Sequence, residues 1–341
     1  MNPRRRRLLI PGLLVVLILI VLVVSIGRQA AGVEPEPPAE RLGLVDDVRI
    51  TESSGLAISH QDPDLAYTIN DSGNVDAVFA IELSTGDVVG TTTLTGTNWR
   101  DTEALALHDG TLWVADVGDN TGVRDEVALH SLDEPGRGDS TTTAARHRLV
   151  HPDGPLDVES LAIDPTSGEM VMVSKQVLAG QLLRLPADPS TDGVTQVEAT
   201  DVQTLSLATD AAWTPDGRHV VVRNYGQAQV LDPATGDVEV TFRLPEQPQG
   251  ESLAVDPDGA SVVIGSEGQP FQLWRVALPI DTDADADAEA EAEAGTQPGA
   301  VADDAVQRRW LTPLLSVVAL GVLAAVAAWM VRRPRRKARR R

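Results

Sequence analysis

The stretch Glu159-Ser-Leu-Ala-Ile-Asp-Pro-Thr-Ser-Gly-Glu-Met-Val-Met-Val173 runs from an acid and a small residue through Leu-Ala and a turn signal into a short β-prone run. Asp-Pro and Ser-Gly break any regular periodicity, so they mark a tight reversal between two strands. The same order recurs along the chain. Its opening phrase appears as Ser54-Gly-Leu-Ala57, Glu103-Ala-Leu-Ala106, Glu159-Ser-Leu-Ala162, Asp210-Ala-Ala-Trp213 and Glu251-Ser-Leu-Ala254, at intervals of about 40 to 56 residues. Turn signals follow at Asp62-Pro-Asp64, Asp109-Gly110, Asp164-Pro-Thr-Ser-Gly168, Pro215-Asp-Gly217 and Asp256-Pro-Asp-Gly259. Second strands are expected at 65–69, 111–114, 170–173, 219–222 and 261–264, and third strands at 78–83, 127–132, 181–185, 228–231 and 272–278. Ser84-Thr-Gly-Asp87 and Ala234-Thr-Gly-Asp237 read as matching turns into fourth strands.

Four short strands per repeat, with tight turns and no helical periodicity, are the sequence signature of propeller blades. The repeats predict an all-β, five-bladed β-propeller over residues 44–280. The longest interval, containing 135–150, leaves a six-bladed arrangement as the alternative. The fifth repeat has only three strands before residue 281. The segment 45–51 is expected to supply its fourth, tying the last blade to the first and removing the free sheet edges.

Outside the repeats the composition changes. Residues 8–26 and 311–331 carry no charge and are mostly apolar, and at about 1.5 Å per residue each is long enough to cross roughly 30 Å of hydrocarbon. Arg4 to Arg7 precede the first run, and a basic cluster at 332–341 follows the second. Basic flanks stay on the cytoplasmic side, so residues 1–7 and 332–341 are expected in the cytoplasm and the propeller outside it, in the cell membrane's extracytoplasmic space. The first run also fits a cleaved signal peptide. Residues 27–43 form a Pro-rich linker, and 281–309 an acidic stalk whose alternating acids self-repel. The stalk's Asp281-Thr-Asp283-Ala-Asp285 lacks the glycine and closing glutamate of a calcium-binding helix–loop–helix.

The formal net charge is -22, and without the basic ends the intervening segment is more acidic still. Such a surface repels nucleic acid and anionic lipid headgroups. There is no cysteine, so stability rests on packing rather than disulfides. The bias towards Ala, Arg, Asp and Val suggests a bacterium of high genomic GC content. No Gly-x-Ser-x-Gly elbow, His-Glu-x-x-His or Gly-rich phosphate loop is present. His60, His108 and His219 fall near turns between first and second strands, and Trp99, Trp113, Trp213 and Trp274 read as core.

In a propeller the first strand of each blade lines the central channel, and its start shares a face with the end of the second strand. The phrase therefore stacks Ser54, Glu103, Glu159, Asp210 and Glu251 around the axis. The second-strand ends add Asn70, Asp71, Asp116 with Asp119 and Asn120, Lys175, Arg223, Asn224 and Glu267. Converging carboxylates need a cation, a metal or proton uptake to coexist. Three readings stay open: a metal held by hard oxygen donors, with calcium favoured; a polar ligand on Lys175, Arg223 and the acids; or a plug in which Lys175 and Arg223 pair with Glu159 and Asp210.

The blade-opening acid before a small residue and Leu-Ala, together with Asn70-Asp-Ser-Gly73 and Asp116-Val-Gly-Asp-Asn120, resembles bacterial extracytoplasmic propellers. These include the esterase-like phytases, the gluconolactonase-type lactonases and the NHL, TolB and WD40-like set. The resemblance spans 44–280 and implies a calcium ion at Glu103, Glu159, Asp210 and Glu251. The chain departs from the pattern at Ser54-Gly55, where an acid is missing, and in carrying few Lys and Arg for phosphate. The expected function is a membrane-anchored binding or scaffold module for a small molecule or protein. The alternative is a calcium-dependent esterase, lactonase or phosphatase.

Overall fold

A computed structural model describes residues 32–72 and 75–280. They form five antiparallel four-stranded sheets, some with an added outer strand, whose inner strands touch in the cyclic order first, second, third, fourth, fifth, first. The protein is a five-bladed β-propeller. Blade 1 runs from the inner strand Ser53–Ile58 through Leu65–Asn70 and Ala77–Glu82 to the outer strand Val88–Leu94. Blade 2 has Ala104–His108, Thr111–Asp116, Val127–Asp133 and Ala145–Val150, and blade 3 has Ala162–Ile163, Met170–Val173, Gly180–Leu185 and Glu198–Thr204. Blade 4 has Asp210–Trp213, Val220–Arg223, Gln227–Leu231 and Val238–Arg243.

Hydrophobic patterning explains which strand goes where. Second strands such as Met170–Val173 and Leu65–Asn70 are nearly continuous apolar runs because both faces are covered by neighbouring blades. Outer strands such as Ala145–Val150 alternate between exposed and buried positions because they border solvent. The core is accordingly divided into five apolar clusters, one at each blade-to-blade contact. Leu129, Leu149, Met172 and Leu183 join blades 2 and 3, for example, and Ile58, Phe79, Val263 and Leu273 join blades 5 and 1.

Blade 5 has Gly250–Val255, Ser261–Ser266 and Phe271–Ala277, and its fourth strand comes from the N-terminal side, as expected. That strand is Ala39–Val45, paired antiparallel with Ala39 opposite Val276 and Val45 opposite Phe271, rather than 45–51. The later residues turn instead, because Asp47 accepts hydrogen bonds from the Arg49 amide at 2.9 Å and, through its carbonyl, from Ile50 at 2.9 Å. Part of the Pro-rich segment 27–43 therefore belongs to the sheets, and Val33–Glu34 also pairs parallel with the outer strand of blade 4. Gly43 seals the closure. Its amide donates to the Leu83 carbonyl at 2.8 Å, and a Cβ there would lie 1.9 Å from the Gly86 nitrogen, so only glycine lets the closing strand reach the blade 1 turn.

No sixth blade is hidden at 135–150. Ser140–Thr142 pairs parallel with the outer strand of blade 1, and Ala145–Val150 is the outer strand of blade 2. Val194–Gln196 adds in the same way to the outer strand of blade 2, so insertions stitch neighbouring blades along their rims. Among the described residues no helix is long and apolar enough to cross a membrane. The apolar runs 8–26 and 311–331, the basic ends 1–7 and 332–341 and the stalk 281–309 lie outside the described residues.

Candidate functional site

The strand starts and loops on one face enclose a polar cavity of about 280 Å³. Blade 1 lines it with Ser53, Ser54 and Asp71, preceded by Glu52; blade 2 with Glu103 and Asn120; blade 3 with Glu159 and Lys175. Blade 4 contributes Tyr225, and blade 5 contributes Gln249, Glu251 and Glu267. Six carboxylates thus face one ammonium. The Lys175 Nζ donates to Glu159 Oε2 at 2.8 Å and lies 5.6 Å from the Tyr225 ring centre. Gln249 donates to Glu251 Oε1 at 3.0 Å and to Glu267.

Burial sets the protonation chemistry. It raises Glu159 to about 8, with Lys175 pulling the other way, and raises Glu251 to about 7. Asp71 rises to about 7, through burial first and the nearby Asp101 carboxylate next. Glu103 rises well above the usual range through burial and the charges of Glu159, Asp71 and Asp101. Lys175 is held charged: burial alone would lower it, but Glu159 and Glu251 raise it. One oxygen each of Asp71, Glu159 and Glu251 has no hydrogen-bond partner among the described residues. A buried, unpaired carboxylate oxygen is costly unless it meets a cation or a proton.

Three of the four acids proposed for calcium, Glu103, Glu159 and Glu251, reach this cavity, whereas Asp210 does not. Asp210 is fully buried between blades. Its Oδ1 accepts from the Ala211 amide at 2.8 Å and its Oδ2 from the Leu253 amide at 2.6 Å, so both oxygens are committed to the backbone. Of the second-strand residues, Asp71, Asn120, Lys175 and Glu267 line the cavity, whereas Asn70, Asp116, Arg223 and Asn224 are held in the scaffold. Asn70 accepts from the Thr51 and Glu52 amides, and Asn224 ties its own turn to Ser206. Asp116 is ion-paired with buried Arg124 at 2.9 Å.

Arg223 is not paired with Asp210 as the plug reading expects. Its guanidinium donates to the carbonyls of Ser252 at 2.8 Å and Gly265 at 3.2 Å and to Gln247 Oε1 at 3.0 Å, and burial lowers it to about 10. The space exists because residue 250 is glycine: a Cβ there would sit 1.9 Å from Arg223 Nη2.

The donor set fits a hard cation. Oxygens of Asp71, Asp101 and Glu103 lie within 4.8 Å of one another, and Glu159 and Glu251 line the cavity that Asp71 and Glu103 reach. Sequence reading by the phrase alone passed over Glu52, Asp101 and Gln249. The signal was two residues upstream: Glu52-Ser-Ser54, Asp101-Thr-Glu103, Asp157-Val-Glu159 and Gln249-Gly-Glu251 each place an acid or amide at that position. In an extended segment, positions two apart point the same way.

The far end of the channel is a second cavity of about 350 Å³, walled by residues such as Leu105, Ile163 and Val255 and rimmed by Pro165, Pro215 and Pro257. His60 and His108 line this end, away from the carboxylates, as the sequence suggests. A scan against protein-family models finds no match to the chain, and a search of curated proteins finds none either. The fold is thus carried by the blades themselves and the site by its own geometry.

Proposed function

We propose that this protein is a membrane-anchored, extracytoplasmic binding module whose central well recognises positive charge, with calcium as the metal its donors suit. The observation that carries the reading is the imbalance, among the described residues, of six carboxylates against one ammonium in a single cavity, with three buried carboxylate oxygens left without partners. Asp71, Asp101 and Glu103 would hold the ion, with Glu159 and Glu251 completing the negative field. The anchoring part rests on the uncharged runs 8–26 and 311–331 and their basic flanks.

Binding is better supported than hydrolysis. Among the described residues the cavity lining contains no histidine, and its serine hydroxyls are engaged: Ser53 Oγ with Thr68 Oγ1 at 2.8 Å and Ser54 Oγ donating to the Glu103 carbonyl at 2.7 Å. Kinship with the calcium-bearing extracytoplasmic propellers is part of the proposal, supported by the blade count and the acid-bearing phrase. The test is the melting temperature of the full chain with calcium and with chelator, because an ion that binds only the native state raises it. A rise that Glu103→Gln and Asp71→Asn abolish supports the reading, and an unchanged Tm at millimolar calcium refutes the metal.

A further inference from the structure

The loops around the acidic well display apolar side chains. Both the second-to-third-strand loops and the outer-to-inner-strand connections open on this face. They carry Val48 and Val75 around blade 1, Val123 in blade 2, Val177 and Leu178 in blade 3, and Leu207 and Tyr225 around blade 4. Val177 and Leu178 are 75% and 73% exposed, and Val123 is 66% exposed. The remaining exposed large apolar side chains among the described residues, Leu44, Val194 and Val238, stand on outer strands. Scattered apolar residues are ordinary on a surface, but their concentration around one mouth marks an interaction site.

Leu207 adds a second sign. It holds a left-handed backbone with φ of 54°, unusual for leucine, while its amide donates to the Gln176 carbonyl at 2.8 Å. That bond ties its turn to the blade 3 loop bearing Val177 and Leu178, so the apolar residues of blades 3 and 4 are held as one surface.

The well inside this rim selects charge. Glu159 is 2% exposed and Glu251 6% exposed, and each lines the cavity with one oxygen that no group among the described residues pairs. At about 280 Å³ the cavity is below the usual size of a drug-like pocket but suits an ion or one side chain. An occupant that also covers loops of four blades must be far larger than the cavity. A chain segment inserting one cationic side chain meets both requirements, and the acidity disfavours nucleic acid and anionic lipid.

We propose that this face docks a polypeptide partner that places one Lys or Arg side chain in the carboxylate well and lays apolar residues on the surrounding loops. The proposal rests on the reading of the well as a cation site and names its partner class.

The test uses the full chain in nanodiscs and a displayed library of random dodecapeptides. The expected result is enrichment of sequences with a basic residue between apolar ones. Their affinity should fall at least about tenfold, the loss of one buried charge contact, in Glu159→Gln/Glu251→Gln and separately in Val177→Ser/Leu178→Ser. The rim variant should keep the calcium-induced rise in Tm, since it leaves the well intact. Enriched peptides lacking a basic residue, or binding untouched by either double variant, would overturn the proposal. Binding of zwitterionic vesicles that Val177→Ser/Leu178→Ser abolishes would also overturn it, in favour of a lipid surface. A calcium response without basic-peptide selection leaves the cation reading standing and removes the partner. Basic-peptide selection without a calcium response removes the metal and supports the partner.

Discussion

Lys175 Nζ lies 2.8 Å from Glu159 Oε2, while Oε1 of the same carboxylate has no partner among the described residues. One ammonium thus balances the charge of one acid in a well lined by six. Replacing Lys175 with Met removes the charge that pulls Glu159 down, so the buried carboxyl must take up a proton even at pH 8, and the variant should lose about 3 kcal/mol there. The loss should shrink at pH 6, where Glu159 carries a proton in the parent as well. Denaturant unfolding of the variant at the two pH values checks this, and an equal loss at both would show that the pair does not govern the well.

The well should make the metal-free protein base-labile. Asp71, Glu159 and Glu251 are raised to about 7, 8 and 7, chiefly by burial, above the carboxylate values of an unfolded chain. Their stabilising contribution is full below the unfolded values and is lost as pH rises through 7 to 8. In chelator, Tm should therefore fall by several degrees between pH 6.5 and pH 8.5. Calcium should remove most of that slope.

An opposing acid limb should come from His130. It is buried between blades 1 and 2 beside the Trp99 ring, has no partner on either ring nitrogen among the described residues, and is lowered to about 4 by burial. A histidine lowered in the folded state contributes stability above its unfolded value near 6.5 and loses it as pH falls towards 4. The full loss is about 3 kcal/mol. His130→Phe should flatten the curve between pH 6.5 and pH 4, and an unchanged acid limb would place its cause elsewhere.

Asp210 and Glu159 should separate structure from binding. Asp210→Asn puts an amide donor against one of the two backbone N–H groups that the carboxylate serves, at a cost of about 1–3 kcal/mol. It should leave the calcium response intact. Glu159→Gln should weaken that response and raise stability in chelator at pH 8. Paired melting curves with and without calcium distinguish the two residues.

Ring closure should be sensitive at Gly43. A methyl group there would meet the Gly86 backbone at 1.9 Å, so Gly43→Ala should displace Ala39–Val45 from Phe271–Ala277. The exposed sheet edge should then pair between molecules. Light scattering during a thermal ramp should show earlier aggregation than in the parent, whereas Leu44→Ala, at a half-exposed position on the same strand, should not.

The local order of residues was enough to count blades, because each blade is a run of adjacent hairpins whose turns and strands are written in neighbouring positions. The placement of strand Ala39–Val45 was less legible: Asp46 and Asp47, just past its end, look like part of an extended run until Asp47 is seen to cap a turn with Arg49. Likewise the region 135–150 carried strand-forming residues whose partners, in blades 1 and 2, no local pattern identifies.

The acids of the repeated phrase were legible as a ring because equivalent positions in a propeller approach one axis, which is a property of the repeat. Which acids point into the well was not. Asp210 occupies the same place in its phrase as Glu159, yet its shorter side chain is consumed by the amides of Ala211 and Leu253, while Glu159 reaches Lys175. Arg223, read as a ligand residue, is drawn into the space left by Gly250, a residue distant in sequence and brought beside it only by packing of blade 5 on blade 4. Sequence by itself determined the repeat, the strand order and the acidic character of the axis, since these depend on composition and short-range pattern. The division of those polar residues into a bonded scaffold and an unpaired well was decided only in three dimensions, because it depends on which backbone donors, cations and empty volumes each side chain meets.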